Sequence, residues 1–210
     1  MADNYLGRKM EEYEAQKCAS VRTRRVSLLS LLSKNRSTRG FDTSFKVRKD
    51  QLVSLVEAAR LAPSAMNQQA LRYRLVTEEE SSLVLPHIRL GAALPDMKLP
   101  VEGTEPNAFV VVCSTKEGRF VDVDLGIATQ SILLRAVEMG LNGVCIAAFD
   151  SERVQAALKL TIAPQLIIAI GRSAERIEVV DIHEGESQTY YRRNGVHFVP
   201  KLQIDDLILK

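Results

Sequence analysis

The chain of 210 residues contains no tryptophan, only three cysteines and no long apolar run. Its longest uninterrupted apolar stretches, 108–113 and 144–149, hold about six residues, whereas a membrane-spanning helix needs about 20. We therefore expect no membrane partner. Cys18, Cys113 and Cys145 are far apart in the sequence and form no C-x-x-C pair. This spacing predicts free thiols in a reducing compartment, so no disulfide framework is needed.

An excess of charge of one sign is also lacking. Lys and Arg number 28 and Asp and Glu 26, so the net charge is +2, which argues against nucleic acid as a partner. The hydrophobic fraction of 46% and the charged fraction of 26% are typical of a globular protein, and the length suits one domain over residues 1–210. Residues 1–12 contain acids and no apolar signal-peptide core, which favours a cytoplasmic location.

Most sequence motifs of catalysis are missing. His87, His183 and His197 are scattered in the sequence, so no metal site is expected. The G-x-S-x-G segment that would indicate a hydrolase is absent. Cys145, inside an apolar run, is interpreted as a small core residue rather than a reactive thiolate. No P-loop is present, and residues 140–143 form only a G-x-x-G fragment of a dinucleotide fingerprint. Side chains would have to hold any bound phosphate.

Hydrophobic periodicity predicts helices in the first third of the chain and alternating helices and strands after it. Helices are predicted over about 5–20, over about 22–34, after an Asp50 cap, from Glu78, over 122–141 with Gly140 as the C-terminal cap, and after a Ser151 cap. Strands are predicted over 71–77, 108–114, 143–148, 166–170 and 177–182, with a loop or lid over 91–106.

A small group of polar side chains follows the second predicted helix. Arg36 and Arg39 flank the hydroxyl of Ser37, and two guanidinium groups with a hydroxyl could clamp a dianion. An equally good interpretation is that the arginines bind the C-terminal carbonyls of the preceding helix. The segment 63–67 is favoured as a plain turn when taken alone.

The order of these segments resembles the FMN-dependent nitroreductase family. The resemblance lies in R-S-x-R-x-F at 36–41, P-S-A-x-N-x-Q at 63–69, D-L-G-I-A at 124–128, G-L-N-G-V-C-I-A-A-F at 140–149 and I-G at 170–171, and it covers most of residues 30–172. Two positions depart from the usual family pattern: Asn35 stands where many relatives have arginine, and Ala70 replaces a proline.

The resemblance implies roles for individual residues. Arg36 and Ser37 would contact the phosphate and ribityl chain of FMN, Arg39 would face the pyrimidine edge of the flavin, and Lys201 is a candidate for a last phosphate contact. Other implied cofactor-binding residues are Pro63, Ser64, Ala65 and Asn67 from the partner subunit, Ala147 and Ala148 beside the reactive ring nitrogen, and also Gln69, Gly171 and Arg172. No catalytic side chain beyond the flavin is implied, because the flavin itself carries the hydride.

The implied fold is a three-layer α+β domain with a mixed, mainly antiparallel central sheet flanked by helices. It would form an intertwined homodimer, embraced by the N-terminal helices and the C-terminal tail. The implied activity is a ping-pong transfer of hydride from NAD(P)H through tightly bound, non-covalent FMN to an electron-poor acceptor such as a nitroaromatic or quinone. A dehalogenase or oxidative flavoenzyme of the same fold, a flavin-storage protein without turnover, and an interaction module without flavin remain alternatives.

Overall fold

A four-stranded central sheet organises the protein. The computed structural model describes residues 9–10, 26–91 and 99–209. The central strands are β1 (Leu71–Val76), β2 (Ala108–Ser114), β3 (Asn142–Ile146) and β4 (Pro164–Gly171), in the order β1-β2-β4-β3 with antiparallel pairing throughout. A parallel bridge between Ser37 and Gly143 extends the edge of β3. The sheet is therefore mixed and mainly antiparallel, as predicted.

Helices cover both faces of this sheet. They are α1 (Leu28–Lys34), α2 (Lys49–Arg60), α3 (Glu78–Ser81), α4 (Arg119–Glu138), α5 (Ser151–Ala157) and α6 (Ile204–Leu207), with 3-10 turns at Ala65–Asn67 and Leu85–His87. Every residue of β2 is buried, and its side chains alternate between two cores. Val110 and Val112 join a cluster with α2 and α4, while Phe109 and Val111 join a cluster with Val154 of α5. The three-layer α+β architecture is confirmed.

A second, three-stranded sheet follows the central one. It contains β5 (Arg176–Ile182), β6 (Tyr191–Arg193) and β7 (Val196–Leu202), with β5 parallel and β6 antiparallel to β7. The two-residue turn Asn194-Gly195 joins β6 to β7, and both residues have positive φ, 51° and 75°. Asn-Gly is the pair that such tight hairpin turns favour. Because the hairpin fixes the register of β7, it also determines which β7 side chains face the site described below.

The predicted strands and the long helix are confirmed, but several predicted ends are wrong. Ser27 caps α1 through a 3.2 Å bond from the Ser30 N–H, so Val26 precedes the helix instead of lying within it. Arg48 occupies the N-cap position of α2, while Asp50 lies in the first turn and pairs with Arg48 at 3.0 Å. Asp150, not Ser151, caps α5. In the last two cases the observed cap lies two residues and one residue before the predicted one, since neighbouring residues compete for that position.

Some predictions fall on residues outside the described part of the chain. The helix predicted over 5–20 is described only at 9–10, and the loop predicted over 91–106 lacks a description of 92–98. Residues 99–106 contain no helix or strand. Among the described residues, no helix combines the length and apolar character needed to cross a membrane. The same residues include no group of three or more His, Cys, Asp or Glu side chains arranged to hold a metal ion.

Candidate functional site

Residues 36–39, called here the clamp segment, run along the open edge of β3. The Arg36 N–H donates to Asn142 Oδ1 at 3.3 Å, and the Thr38 N–H donates to the carbonyl of Gly143 at 3.2 Å. A Cβ on Gly143 would lie 2.5 Å from the carbonyl oxygen of Ala169, so only glycine fits this position. The sheet edge thus holds the clamp segment by its backbone, which leaves its side chains available for the neighbouring cavity.

A cavity of about 390 Å³, the clamp cavity, opens beside this segment. Three basic side chains line it and, within the described residues, no carboxylate does. Its lining consists of Leu32, Asn35, Arg36, Ser37, Arg39, Gln130, Leu133, Gly143, Cys145, Tyr190, His197, Val199 and Lys201. A cavity with this excess of positive charge suits an anionic ligand.

Strand β7 brings Lys201 to the cavity. His197, Val199 and Lys201 all line it, as expected for alternate residues that project from one face of a strand. The sequence resemblance suggested Lys201 as a phosphate contact, and the structure places it in the same cavity as Arg36, Ser37 and Arg39.

The contacts of the Arg36 guanidinium bear on the two interpretations given above, binding of an anion and binding of the preceding helix end. Its Nη2 donates to the carbonyl of Leu32 in the last turn of α1 at 2.7 Å, so the arginine does bind the helix end. Its Nε, however, is buried without a hydrogen-bond partner among the described residues. Burial lowers the pKa of Arg36 from its ordinary value, yet an arginine stays charged at neutral pH. A buried N–H donor without an acceptor is unfavourable.

Arg39 is held from two sides. Its backbone N–H donates to Glu175 Oε2 at 2.6 Å, and its guanidinium carbon lies 4.7 Å from the centre of the Tyr190 ring. Glu175 also accepts a 3.1 Å bond from the hydroxyl of the fully buried Thr38 and forms an ion pair with Arg192 of β6. This largely buried carboxylate therefore connects the clamp segment to the second sheet.

His197 is buried, with 3% of its surface exposed, and its Nδ1 has no partner among the described residues. Its ring centre lies 5.2 Å from that of Tyr190. Burial lowers the pKa of His197 most, Arg39 and Arg192 lower it further, and Glu175 opposes them. The imidazole is therefore neutral at pH 7.

Cys145 does not lie in the core, contrary to the prediction. Its side chain is exposed on β3 and lines the clamp cavity, whereas its neighbours Val144 and Ile146 point into the core on the opposite face. An apolar run in an edge strand need not be buried on both faces, and this one is not. Partial desolvation raises the pKa of the Cys145 thiol, so it is protonated at neutral pH.

The segment 63–69 lies apart from the clamp cavity. Pro63, Ser64 and Gln69 line a different cavity, of about 360 Å³, between α2, β1 and α4. The Ala65 N–H donates to the buried carboxylate of Asp124 at 2.9 Å. These contacts join two sequence segments, 63–69 and 124–128, that the family resemblance also contains.

The same loop is more than a plain turn, because its backbone is strained. Met66, Asn67 and Gln69 have φ values of 51°, 52° and 46°. Positive φ in residues other than glycine costs on the order of 1–3 kcal/mol each, and such strain is common at functional sites.

The remaining predicted site residues lie at two further places. Ala147 and Ala148 line a cavity of about 490 Å³ with Arg89. Gly171 packs against Phe41, whose ring would lie 2.7 Å from an added Cβ. The guanidinium of Arg172 lies 4.1 Å from the centre of the Phe45 ring and is not among the groups that line the clamp cavity.

Sequence reasoning missed Tyr190, Glu175 and His197. The alternation of side chains along a strand could have found His197. If residues 196–202 form a strand, then positions 197, 199 and 201 share one face, and Lys201 was already a candidate. Glu175 gave no such signal, since its role depends on a contact across more than 130 residues of sequence.

The chain is similar in sequence to known proteins. The family model described as "Nitroreductase family" matches residues 32–172. A curated protein of Methanothermobacter thermautotrophicus, provisionally described as an NADH dehydrogenase/NAD(P)H nitroreductase, is 26% identical over 149 residues, which cover 69% of this chain and 73% of that protein.

Solved structures show the same fold. A nitroreductase family protein from Streptococcus pneumoniae aligns with a TM-score of 0.63 at 18% identity, over 88% of this chain and 100% of that one. The FMN and NADPH-dependent nitroreductase NfnB from Sphigopyxis sp. strain HMH aligns with a TM-score of 0.58 at 20% identity, over 71% and 89% of the two chains.

Proposed function

Because the chain belongs to the nitroreductase family, we propose that it is an FMN-dependent oxidoreductase with NAD(P)H as hydride donor. Its second substrate would be an electron-poor small molecule such as a nitroaromatic or quinone, reduced in a ping-pong sequence. We take residues 1–210 as one FMN-binding domain with its core at about 30–172. The FMN and NADPH dependence of the Sphigopyxis relative and the description of the Methanothermobacter protein support this proposal.

One observation carries the proposal: three basic side chains, Arg36, Arg39 and Lys201, line the clamp cavity together with Ser37 and, among the described residues, without any carboxylate. A ligand with a phosphate and a polar ring edge would suit such a lining. FMN has both parts, and the lining residues fit it.

The chain's own residues would bind and orient the cofactor. Arg36, Ser37 and Lys201 would provide donors for a phosphate and for hydroxyl groups. Glu175 holds the backbone of Arg39, and the guanidinium of Arg39, which lies over the Tyr190 ring, would serve the pyrimidine edge. When bound, FMN would accept and donate the hydride. A guanidinium held at the pyrimidine edge stabilises negative charge there, which favours the reduced flavin.

Access to the reactive face would depend on small side chains. Ala147 and Ala148 are exposed beside a cavity, and their methyl groups leave room for donor and acceptor in turn. The backbone carbonyl of Ala148 accepts a 2.8 Å bond from the Arg89 N–H, which fixes the position of the segment. Gly171 and Arg172 would contribute by packing against Phe41 and Phe45, respectively.

The active unit is proposed to be an intertwined homodimer with two FMN molecules at the interface. Within one chain, the clamp segment and the loop 63–69 line different cavities, so one chain alone does not bring them together. Large apolar side chains are exposed on α1 and α4, as an interface would require: Leu28, Leu29, Phe120, Val123 and Ile127.

Subunit mixing tests the shared site. Arg36→Glu damages the clamp and Asn67→Trp blocks the loop, so each homodimer should be inactive. Heterodimers formed by subunit exchange should regain up to half of the native activity, because one intact site assembles from the two undamaged halves. Verified heterodimers without activity would place clamp and loop in one subunit's site and contradict the proposal.

Anaerobic titration with NADPH and NADH tests the activity itself. The flavin absorbance of the FMN-loaded protein should bleach with the donor alone and return when a quinone or nitroaromatic is added. Bound FMN that neither donor reduces would instead favour a storage protein. If the donor reduces the flavin but only a halogenated or other specialised substrate restores its absorbance, a dehalogenase or an oxidative flavoenzyme would be favoured. A protein that binds no FMN would be an interaction module.

A further inference from the structure

A cavity of about 490 Å³, called here the 86–89 cavity, lies between residues 86–89 and the segment that follows β3. Two backbone hydrogen bonds join its walls. The Arg89 N–H donates to the carbonyl of Ala148 at 2.8 Å, and the Asp150 N–H donates to the carbonyl of His87 at 2.9 Å. Because the backbone holds both walls together, the side chains that line the cavity are available for a ligand.

The lining of this cavity has more positive than negative groups. Arg89 and Arg153 both line it, and Asp150 is the only carboxylate among the described residues that do. Asp150 is already engaged by Arg153, since it accepts the Arg153 N–H at 3.1 Å and pairs with Nε at 3.2 Å. Arg89 therefore has no carboxylate to pair with in this lining, and both guanidinium groups keep donors for an anion.

Neither arginine side chain is required to hold the walls in place. The bond from Arg89 to Ala148 comes from the backbone, so any residue other than proline could form it. The ion pair of Arg153 with Asp150 is largely exposed, and such pairs contribute little to stability. The two side chains can therefore be replaced without disturbing the cavity itself.

The 86–89 cavity is a neighbour of the clamp cavity. Gly143 and Cys145 line the clamp cavity, and Ala147, two residues further along the same chain, lines the 86–89 cavity. Two residues span at most about 7 Å, so little separates the two cavities at this point. Ala147 and Ala148 are small and exposed there. This placement suits a second ligand that must meet the ligand of the clamp cavity.

We propose that the 86–89 cavity binds the anionic group, a carboxylate or a phosphate, of a substrate that reacts with FMN in the clamp cavity, and that Arg89 and Arg153 hold this group. The inference rests on the proposed function, and it adds negative charge to the description of the substrate. An acceptor could supply a carboxylate and NAD(P)H could supply phosphates. Guanidinium groups bind both through paired hydrogen bonds.

Calorimetric binding of 4-nitrobenzoate and 4-nitrobenzyl alcohol to the FMN-loaded, full-length protein tests the role of charge, because these ligands are similar in size and differ in charge. Arg89→Gln and Arg153→Gln should each raise the dissociation constant of nitrobenzoate about 3- to 10-fold and leave that of the alcohol within about 2-fold. Arg89→Lys should recover part of the lost affinity, since it keeps the charge. Arg176→Gln, which replaces an exposed arginine paired with Glu178, is the matched control and should bind both ligands as the wild type does.

The source of the anion is tested by the KM values for NADPH and NADH in the same variants, with a neutral quinone as acceptor. Weaker binding of nitrobenzoate in Arg89→Gln and Arg153→Gln would assign the arginines to the carboxylate of the acceptor. A higher KM for NADPH alone would assign them to the 2′-phosphate of the donor, and a higher KM for both donors to the pyrophosphate. Any of these changes, with binding of the neutral alcohol preserved, supports the inference.

The inference is wrong if the two glutamine variants change neither the nitrobenzoate affinity nor the donor KM. It is also wrong if they weaken binding of the neutral alcohol as much as binding of the benzoate, because the effect would then not depend on charge. A wild-type protein that binds no FMN would refute the proposed function instead. In that case the same calorimetric comparison on the unliganded protein decides whether the anion site exists.

Discussion

Replacing Arg36 by alanine should weaken FMN binding far more than it changes the stability of the unliganded protein. The charged hydrogen bond to a phosphate is worth about 1.5–3 kcal/mol, which corresponds to about 10- to 150-fold in the dissociation constant. The unliganded protein loses the 2.7 Å bond from Nη2 to the Leu32 carbonyl but also loses the burial of an unpaired Nε. Because these effects oppose each other, we expect its free energy of unfolding to change by less than about 1 kcal/mol.

Quenching of flavin fluorescence measures the affinity, and denaturant unfolding with and without FMN measures the linked stability. At a ligand concentration 100 times the wild-type dissociation constant, FMN should stabilise the wild type by about 2.7 kcal/mol. An affinity loss of about 30-fold would reduce this to about 0.9 kcal/mol in Arg36→Ala. Arg176→Ala, which removes an exposed arginine paired with Glu178, is the matched control. Equal FMN affinity of Arg36→Ala and this control would refute the reasoning.

Three further predictions concern charge, packing and pH. Arg39→Ala should lower the midpoint potential of bound FMN, because it removes positive charge from the pyrimidine edge; an unchanged potential by spectroelectrochemistry would contradict that role. Gly143→Ala should lower the free energy of unfolding by about 1–3 kcal/mol, since its Cβ would meet the Ala169 carbonyl at 2.5 Å; an unchanged value in a denaturant assay would contradict that close packing. The unliganded protein should lose stability as the pH falls below about 6.5, because the unfolded chain binds a proton at His197 that the folded state disfavours. In His197→Phe this part of the plot of unfolding free energy against pH should flatten, and a plot identical to that of the wild type would contradict the lowered pKa of His197.

Local patterns predicted the elements of this fold because hydrophobic burial follows their periodicity. The runs 108–114 and 166–170 became strands buried on both faces, and Gly140, with φ of 75°, terminates α4 as its sequence position predicted. Helix caps were less predictable. At α5, Asp150 and Ser151 are both residue types that cap helices, and it is the side chain of Asp150 that accepts the Arg153 N–H.

The site was predictable in composition but not in assembly. Arg36, Ser37, Arg39 and Lys201 were all named from sequence, and one cavity brings them together. The support around them was not predictable. Glu175 binds the Arg39 N–H across 136 residues of sequence. Cys145 faces the cavity because β3 is the last strand of the sheet and one of its faces is left open there. Such contacts depend on strand order and register, which local periodicity does not determine.

The central claim is that the clamp cavity binds FMN, and flavin released from the purified, FMN-saturated protein tests it most directly. After excess ligand is removed by gel filtration, heat denaturation and chromatography of the supernatant should recover FMN, not FAD, at about one molecule per chain, since one clamp without a dinucleotide fingerprint accommodates one phosphate. Arg36→Glu treated in the same way should release far less. Recovery of FAD, of no flavin, or of equal FMN from wild type and Arg36→Glu would contradict the account.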